Sequence, residues 1–403
     1  MSSEERVRAW VEVDGAALRR NLQAIRDAVG PAVAILPMVK ADAYGLGVRE
    51  ALRVLEEEEP WGYGVATVEE GRTLRNLGVT RPILVCCPVP PATIPEAVEA
   101  DLTLSISDVT ALDALEAAAR DQDRHPAFHV EVDTGMGRAG LPWGEAGSWA
   151  PALGERIRRT RWTGLYTHFH SADEAGDQSA LRQWRRLEET RAARPEIPED
   201  AFVHAANSAG VFRAAEVRGS GVRPGIFLYG GRPGSDLPTP EPVVSLRARV
   251  VRVQDVPEGA TVGYGATYRA KRPERWATLA IGYGDGVARA MGNRGRVLLR
   301  GRSAPIIGRI SMDLTVVDIT DMEAGRVGDP AAGGDPVEPG DREDPGDLVK
   351  PGDVATLLGA DGDDGIELEE VAEHAASNNY EALTRLSPRL PRLWTHERSH
   401  DAG

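Results

Sequence analysis

Cysteine is nearly missing from this 403-residue sequence: the two present, Cys86 and Cys87, are adjacent within the apolar stretch "PILVCCP". Neighbouring cysteines make neither a metal-site spacing nor a disulfide framework, and they read as buried strand residues. Long apolar runs are missing too. None approaches the roughly 20 residues of a membrane-crossing helix, and "MSSEERVRAW" lacks the basic start and apolar middle of a secretory leader. A cytoplasmic protein is expected. Positive charge is in deficit, with 47 Lys and Arg against 62 Asp and Glu and a formal net charge of -15. Such a chain repels nucleic acid and anionic membranes, so its expected partners are small molecules or a second copy of itself.

What is present is enough apolar material, 41% of the residues, to bury a real core in two or three domains. Up to about residue 230, eight β-type runs alternate with helical patterns: "VAILPMV", "WGYGVAT", "PILVCC", "LTLSIS", "FHVEVD", "GLYTHFH", "FVHAAN" and "SGVRPG". The intervening stretches, such as "SDVTALDALEAAAR", space their apolar residues three and four apart behind Ser or Asp N-caps. Eight βα units without a glycine-rich dinucleotide turn after the first strand predict a parallel (β/α)8 TIM-type barrel over residues 1–238. After the proline-rich "RPGSDLPTPEP", strands follow one another across turns, so residues 239–403 are expected to form a mostly β domain. Within it, Asp321 to Lys350 is rich in Gly, Pro and acids without an apolar period, and is expected to be a flexible acidic insertion.

A barrel of this kind presents its chemistry where strands end. Lys40 follows the first run, "DTGMGR" with Arg138 the fifth, His168 and His170 close the sixth, Asn207 and Ser208 the seventh, and Arg223 and Gly225 lie at the eighth. Singly, each has an ordinary reading: a solvated lysine, a tight glycine turn, a helix N-cap, a surface ion pair. Together they would place polar groups from five strand ends on one mouth. A lysine amine forms a Schiff base with an aldehyde cofactor such as pyridoxal phosphate, and barrels hold phosphates with the loops after strands seven and eight. His168 and His170, two apart on a strand, offer the competing reading of a metal-dependent barrel hydrolase.

The segments "MVKADAYGLG", "VDTGMGRAG", "GLYTHFHSAD", "HAANSAG", "VRPGIFLYG", "VGYGATYRA", "IGYGDG" and "GRISMD" resemble, in order, the signature segments of the alanine racemase family, from about Val11 to Trp394. The resemblance implies a pyridoxal 5'-phosphate enzyme that interconverts L- and D-alanine by two-base proton transfer. It would supply D-alanine for peptidoglycan as a head-to-tail homodimer with shared active sites. Lys40 would carry the cofactor and serve the D side, with Tyr264 of the partner subunit serving the L side. By the same resemblance Tyr44, Ser208, Gly225 and Ile226 match the phosphate cradle, His168 a residue flanking the pyridine, and Asn207 its neighbour. Arg223 matches the partner of the ring nitrogen. A guanidinium does not give up its proton, so that nitrogen would stay unprotonated. Arg138 matches a residue binding the phenolic oxygen and the substrate carboxylate, Met312 and Asp313 match partner-chain residues at that carboxylate, and Tyr283 matches an aromatic that narrows the entrance.

Two positions depart from the family pattern. Glu131 stands where several members carry a carbamylated lysine, and would supply a carboxylate near Arg138 without modification. Pro388, which has no donor, stands where some members place a phosphate-binding tyrosine. Alternatives are a racemase of broader specificity on the same fold, a non-catalytic cofactor carrier, and the metal-dependent hydrolase built on His168 and His170.

Overall fold

The computed structural model describes residues 7–323 and 348–395. It divides into two compact units, Gly15–Glu241 and Pro242–Gly403, the latter joined by the N-terminal arm up to Asp14. The acidic insertion expected at 321–350 lies outside the described residues over 324–347.

All eight strands expected in the first unit are present: Ala34–Ile35, Tyr63–Val65, Ile83–Val85, Thr103–Ile106, Ala127–Asp133, Arg161–Tyr166, Phe202–His204 and Gly221–Val222. They pair in parallel around a ring, the first strand against the eighth and each of the others against its sequence neighbours. A parallel bridge from Met38 to Gly64 joins the first strand to the second and closes the barrel. Val39 N–H donates to Gly64 O at 2.9 Å and Gly64 N–H to Pro37 O at 3.0 Å. Glycine accommodates the Met38 thioether there, because a Cβ on Gly64 would lie 2.3 Å from its sulfur and displace it. With helices outside and side chains inside, both faces of each strand are buried. Val130 and Val132 are fully buried alongside Phe128, which is why these strands read as apolar runs without alternation.

The outer helices follow from their apolar spacing. Val109–Asp121 buries Leu112, Leu115, Ala118 and Ala119 on one stripe, and Asp108 caps it by accepting from Thr110 N–H at 2.6 Å. Each buried leucine contributes about 2 kcal/mol.

The second unit is a nine-stranded sheet in which the long strand Val244–Val256 pairs with three others, among them Glu274–Leu279 and Val354–Asp361. The short hairpin Thr261–Val262 with Tyr268–Arg269 stands apart and carries Tyr264 between its strands. One expectation is corrected. Residues 1–238 do not all join the barrel, since Ala9–Asp14 pairs antiparallel with Val244–Val256 and parallel with Arg392–Thr395 in the second unit. Pairing partners so distant in sequence leave no trace in local periodicity.

Candidate active site

The first barrel strand ends in a strained turn. Ala41, Asp42, Ala43 and Tyr44 all have φ between 52° and 57°, a left-handed turn built without glycine directly after Lys40. Each such residue costs about 1–2 kcal/mol, so the turn persists only where its surroundings hold it. Glu70 does much of this. One of its oxygens accepts from Ala41 N–H at 2.6 Å and the other from Ala66 N–H at 2.7 Å, while its own N–H donates to Thr67 Oγ1 in a capping box. Asp42 Oδ1 accepts from Val48 N–H at 2.8 Å, and the Tyr44 ring stacks on Tyr229 at 4.6 Å. Lys40 is thereby presented half-buried at the rim.

The eighth strand meets this turn. A Cβ on Gly225 would lie 2.1 Å from the Tyr44 phenol oxygen, so only glycine lets the two segments approach. Ser208 Oγ accepts from Gly225 N–H at 2.8 Å and Phe227 N–H at 3.3 Å. Ser208 opens the helix Ser208–Arg213, and its cap is Asn207, whose side chain accepts from Gly210 N–H at 2.9 Å. Ile226 starts the single 3-10 turn Ile226–Tyr229, fully buried. Tyr44, Ser208, Gly225 and Ile226 therefore do come together.

Arg223 is buried at the centre of a polar network. Its Nη2 donates to Thr167 O at 3.0 Å, Ala205 O at 3.2 Å and His168 Nδ1 at 3.3 Å, and its guanidinium lies 5.0 Å over the Tyr166 ring. Its Nη1 donates to His204 Nδ1. Because guanidinium can only donate, His204 must carry its hydrogen on Nε2, which then donates to His129 Nδ1 at 2.9 Å. Burial and then Arg223 push His129 down to about 3 and His204 well below the imidazole range. His168 is likewise lowered to about 3, by burial first and then by Arg223, Arg138 and Lys40. A strongly acidic chain thus concentrates cations at one mouth, which suits an anionic ligand.

The two histidines of "HFH" part company. The sixth strand ends at Tyr166, so neither lies in a strand, and the same-face argument lapses. His168 Nδ1 accepts from the Arg223 guanidinium, while exposed His170 bonds Ser171 Oγ at 2.7 Å. Cys86 and Cys87 also lie past their strand, half-buried and exposed, not buried within it.

In "DTGMGR", Asp133 Oδ1 accepts from Gly135 N–H at 2.9 Å and Gly137 N–H at 3.1 Å, a tight turn that leaves Arg138 exposed. Buried Glu131 accepts from Ser107 Oγ at 3.0 Å. Burial raises its pKa, against lowering by Ser107, Arg223 and Arg138. Among the described residues it makes no ion pair with Arg138. Gln183 ties the neighbouring loops, donating to His168 O at 2.9 Å and accepting from His170 N–H at 3.1 Å. Periodicity did not single out Gln183, Glu70, His129 or His204. A buried histidine at alternate positions of an apolar strand was the one available signal.

Tyr264, Tyr283, Met312 and Asp313 lie in the second unit and are exposed, Tyr264 by 67%.

A closed eight-stranded barrel with a lysine, a buried arginine and a serine–glycine cradle at its strand ends, followed by a β domain, defines a barrel enzyme whose chemistry sits at that rim. Residues 13–233 match the family described as alanine racemase, N-terminal domain, and residues 243–336 and 342–394 match alanine racemase, C-terminal domain. The chain belongs to the alanine racemase family of isomerases. An alanine racemase of Halothermothrix orenii is 33% identical over 393 residues, 96% of this chain and 97% of that protein. The alanine racemase of D-cycloserine-producing Streptomyces lavendulae superposes with a TM-score of 0.85 at 32% identity, covering 98% of both chains. That of Bartonella henselae, solved with covalently bound pyridoxal phosphate, gives 0.82 at 26% identity over 96% of this chain and 100% of that one.

Two outcomes are expected. Glu70→Ala should lower stability by about 2–3 kcal/mol, and Glu70→Gln by less, because the latter keeps an acceptor; denaturant midpoints check this. Unfolded histidines take up protons near pH 6.5, whereas His129 and His204 stay neutral in the fold. Their contribution is complete above about pH 6.5 and is lost progressively as pH falls below it, by at most about 1.4 kcal/mol per pH unit for each group. Unfolding midpoints between pH 7 and 5 should fall less steeply in His129→Asn than in the wild type.

Proposed function

We propose that the protein interconverts L- and D-alanine with pyridoxal 5'-phosphate as cofactor, in the cytoplasm, providing D-alanine for peptidoglycan. What carries this reading is the convergence at one rim of Lys40, Arg223 and the cradle of Tyr44, Ser208 and Gly225. The residues fit the cofactor. The Tyr44 hydroxyl and the Ile226 N–H offer donors for a phosphate, joined by the Ser208 hydroxyl, which the Gly225 N–H orients, and the surrounding positive charge favours an anion. Asn207 holds Ser208 in place by capping its helix. Lys40 would hold the aldehyde covalently, and the bound cofactor supplies the conjugated system that acidifies the substrate Cα–H.

Arg223 donates to its protein partners and keeps its own protons, so it would offer the ring nitrogen a hydrogen bond without a proton. Neutral His168 flanks the ring. With the cofactor bound, the Lys40 amine would take or return the proton on one face of Cα. The partner subunit's Tyr264 does so on the other, because inversion needs a group on each side. A homodimer is supported by the exposure of Tyr264, Tyr283, Met312 and Leu314, large apolar side chains that a partner would cover. In that assembly Arg138, with Met312 of the partner subunit and Asp313 of the partner subunit, receives the substrate carboxylate, and Tyr283 narrows the entrance, favouring alanine over larger amino acids. Buried Glu131 supplies the fixed carboxylate near Arg138.

Borohydride reduction of the purified holoprotein followed by peptide mass spectrometry should find the cofactor adduct on Lys40. Absence of the adduct would overturn the reading, and racemisation assays with alanine, serine and lysine would show how broad the pocket is. Because Glu131 is a carboxylate by itself, added bicarbonate should leave activity unchanged. Glu131→Gln should raise KM for alanine about fivefold, roughly 1 kcal/mol, by removing the buried charge that acts on Arg138 through space without contact. Stimulation of the wild type by bicarbonate would count against this role.

A further inference from the structure

In the second unit, the segments carrying Tyr283 and Met312 are zipped together. Tyr283 N–H donates to Ser311 O at 3.0 Å and Gly284 N–H to Met312 O at 2.8 Å. Gly282 permits this approach, because a Cβ there would lie 2.3 Å from Ser311 O. The fully buried Asp285 carboxylate anchors the junction. It accepts from Arg8 at 2.5 and 3.0 Å, from Gly282 N–H at 3.1 Å and from Arg389 Nη2 at 2.9 Å. The same Arg389 Nη2 donates to Asp313 Oδ1 at 2.7 Å.

One buried carboxylate needs one cation, and the two-pronged Arg8 already meets that need. Arg389 is therefore available to a second anion, and that anion is Asp313. Its neighbour Met312 lies on the segment proposed above for the substrate carboxylate. An uncompensated aspartate there would repel an anionic group. Pro388, the residue that departs from the family pattern, fixes the chain direction just before Arg389, whose N–H donates to Ser387 Oγ at 3.2 Å.

We propose that Arg389 is a positioning residue for substrate recognition: by pairing with Asp313 it neutralises the Met312–Asp313 segment, which can then receive the carboxylate of a small zwitterionic amino acid. This rests on the racemase reading above. Arg389 and Asp313 are 42% and 56% exposed, and an ion pair so open adds little to stability. Its loss should therefore appear in binding and not in unfolding.

The test uses holoenzyme carrying Arg389→Ala, Arg389→Lys, Arg389→Gln, which keeps a donor for Asp285, and the double variant Arg389→Ala with Asp313→Asn. Measured are KM and kcat for alanine in both directions, the inhibition constant of propionate as a bare carboxylate probe, the unfolding temperature, and the hydride-trapped adduct on Lys40. Arg389→Ala and Arg389→Gln should raise KM and the propionate constant about tenfold with kcat within about twofold and little change in unfolding. Arg389→Lys should keep most of the affinity, and the double variant should return both constants to within about threefold of wild type. The proposal is overturned if folded Arg389→Ala and Arg389→Gln keep their affinities, if the double variant stays weak, or if kcat falls while KM holds. An intact Lys40 adduct alongside any of these results overturns the role of Arg389 alone. A missing adduct in the wild type overturns the racemase reading and this inference with it.

Discussion

The closing bridge between Met38 and Gly64 is the constraint on which the rest of the barrel depends. A parallel sheet of eight strands left open would spread its strand ends along an edge, whereas a closed one gathers them on a single rim. Gly64 lets the bridge form with the Met38 thioether lying directly against it. Lys40 lies only two residues beyond it, so ring closure and delivery of the amine are one event in the chain. The left-handed turn that follows is unfavourable in isolation and stands because Glu70, Asp42 and Tyr229 each satisfy part of it.

Charge at the rim is handled by burial and by donor geometry. Arg223 has no carboxylate against it among the described hydrogen bonds and ion pairs. Carbonyls, two imidazoles and an aromatic face surround it instead. Such an environment satisfies the donors without cancelling the charge, and it keeps the nearby histidines neutral. The second unit uses the opposite arrangement. There Asp285 is matched by Arg8, and Arg389 reaches on to Asp313, so the segments bearing Tyr283 and Met312 are held by backbone bonds around a compensated anion.

Much of this was legible in the sequence, and the illegible part has a common cause. The apolar runs mark all eight barrel strands because burial on both faces leaves no other choice of residue. Lys40, Arg138, Ser208, Gly225 and Arg223 could be placed at strand ends because polar residues closing such runs stand out. Glu70 drew no notice in the sequence, and one of its oxygens reaches the Lys40 turn only through the fold. His129 and His204 sit 75 positions apart, yet share a hydrogen bond. Histidines 168 and 170 look equivalent by spacing and are not, because their strand stops at Tyr166.

By itself the sequence determined the local choices: which runs become strands, which stripes become helical faces, and which reactive side chains lie at strand ends. Those follow from burial and backbone preference within a few neighbouring residues. Tertiary structure alone decided that Ala9–Asp14 leaves the barrel for the second sheet, that Arg223 is charged among neutral imidazoles, and that Arg389 bridges two aspartates. Each of these depends on groups far apart in the chain meeting in a place where water is scarce or a charge needs a partner, and no local pattern encodes such a meeting.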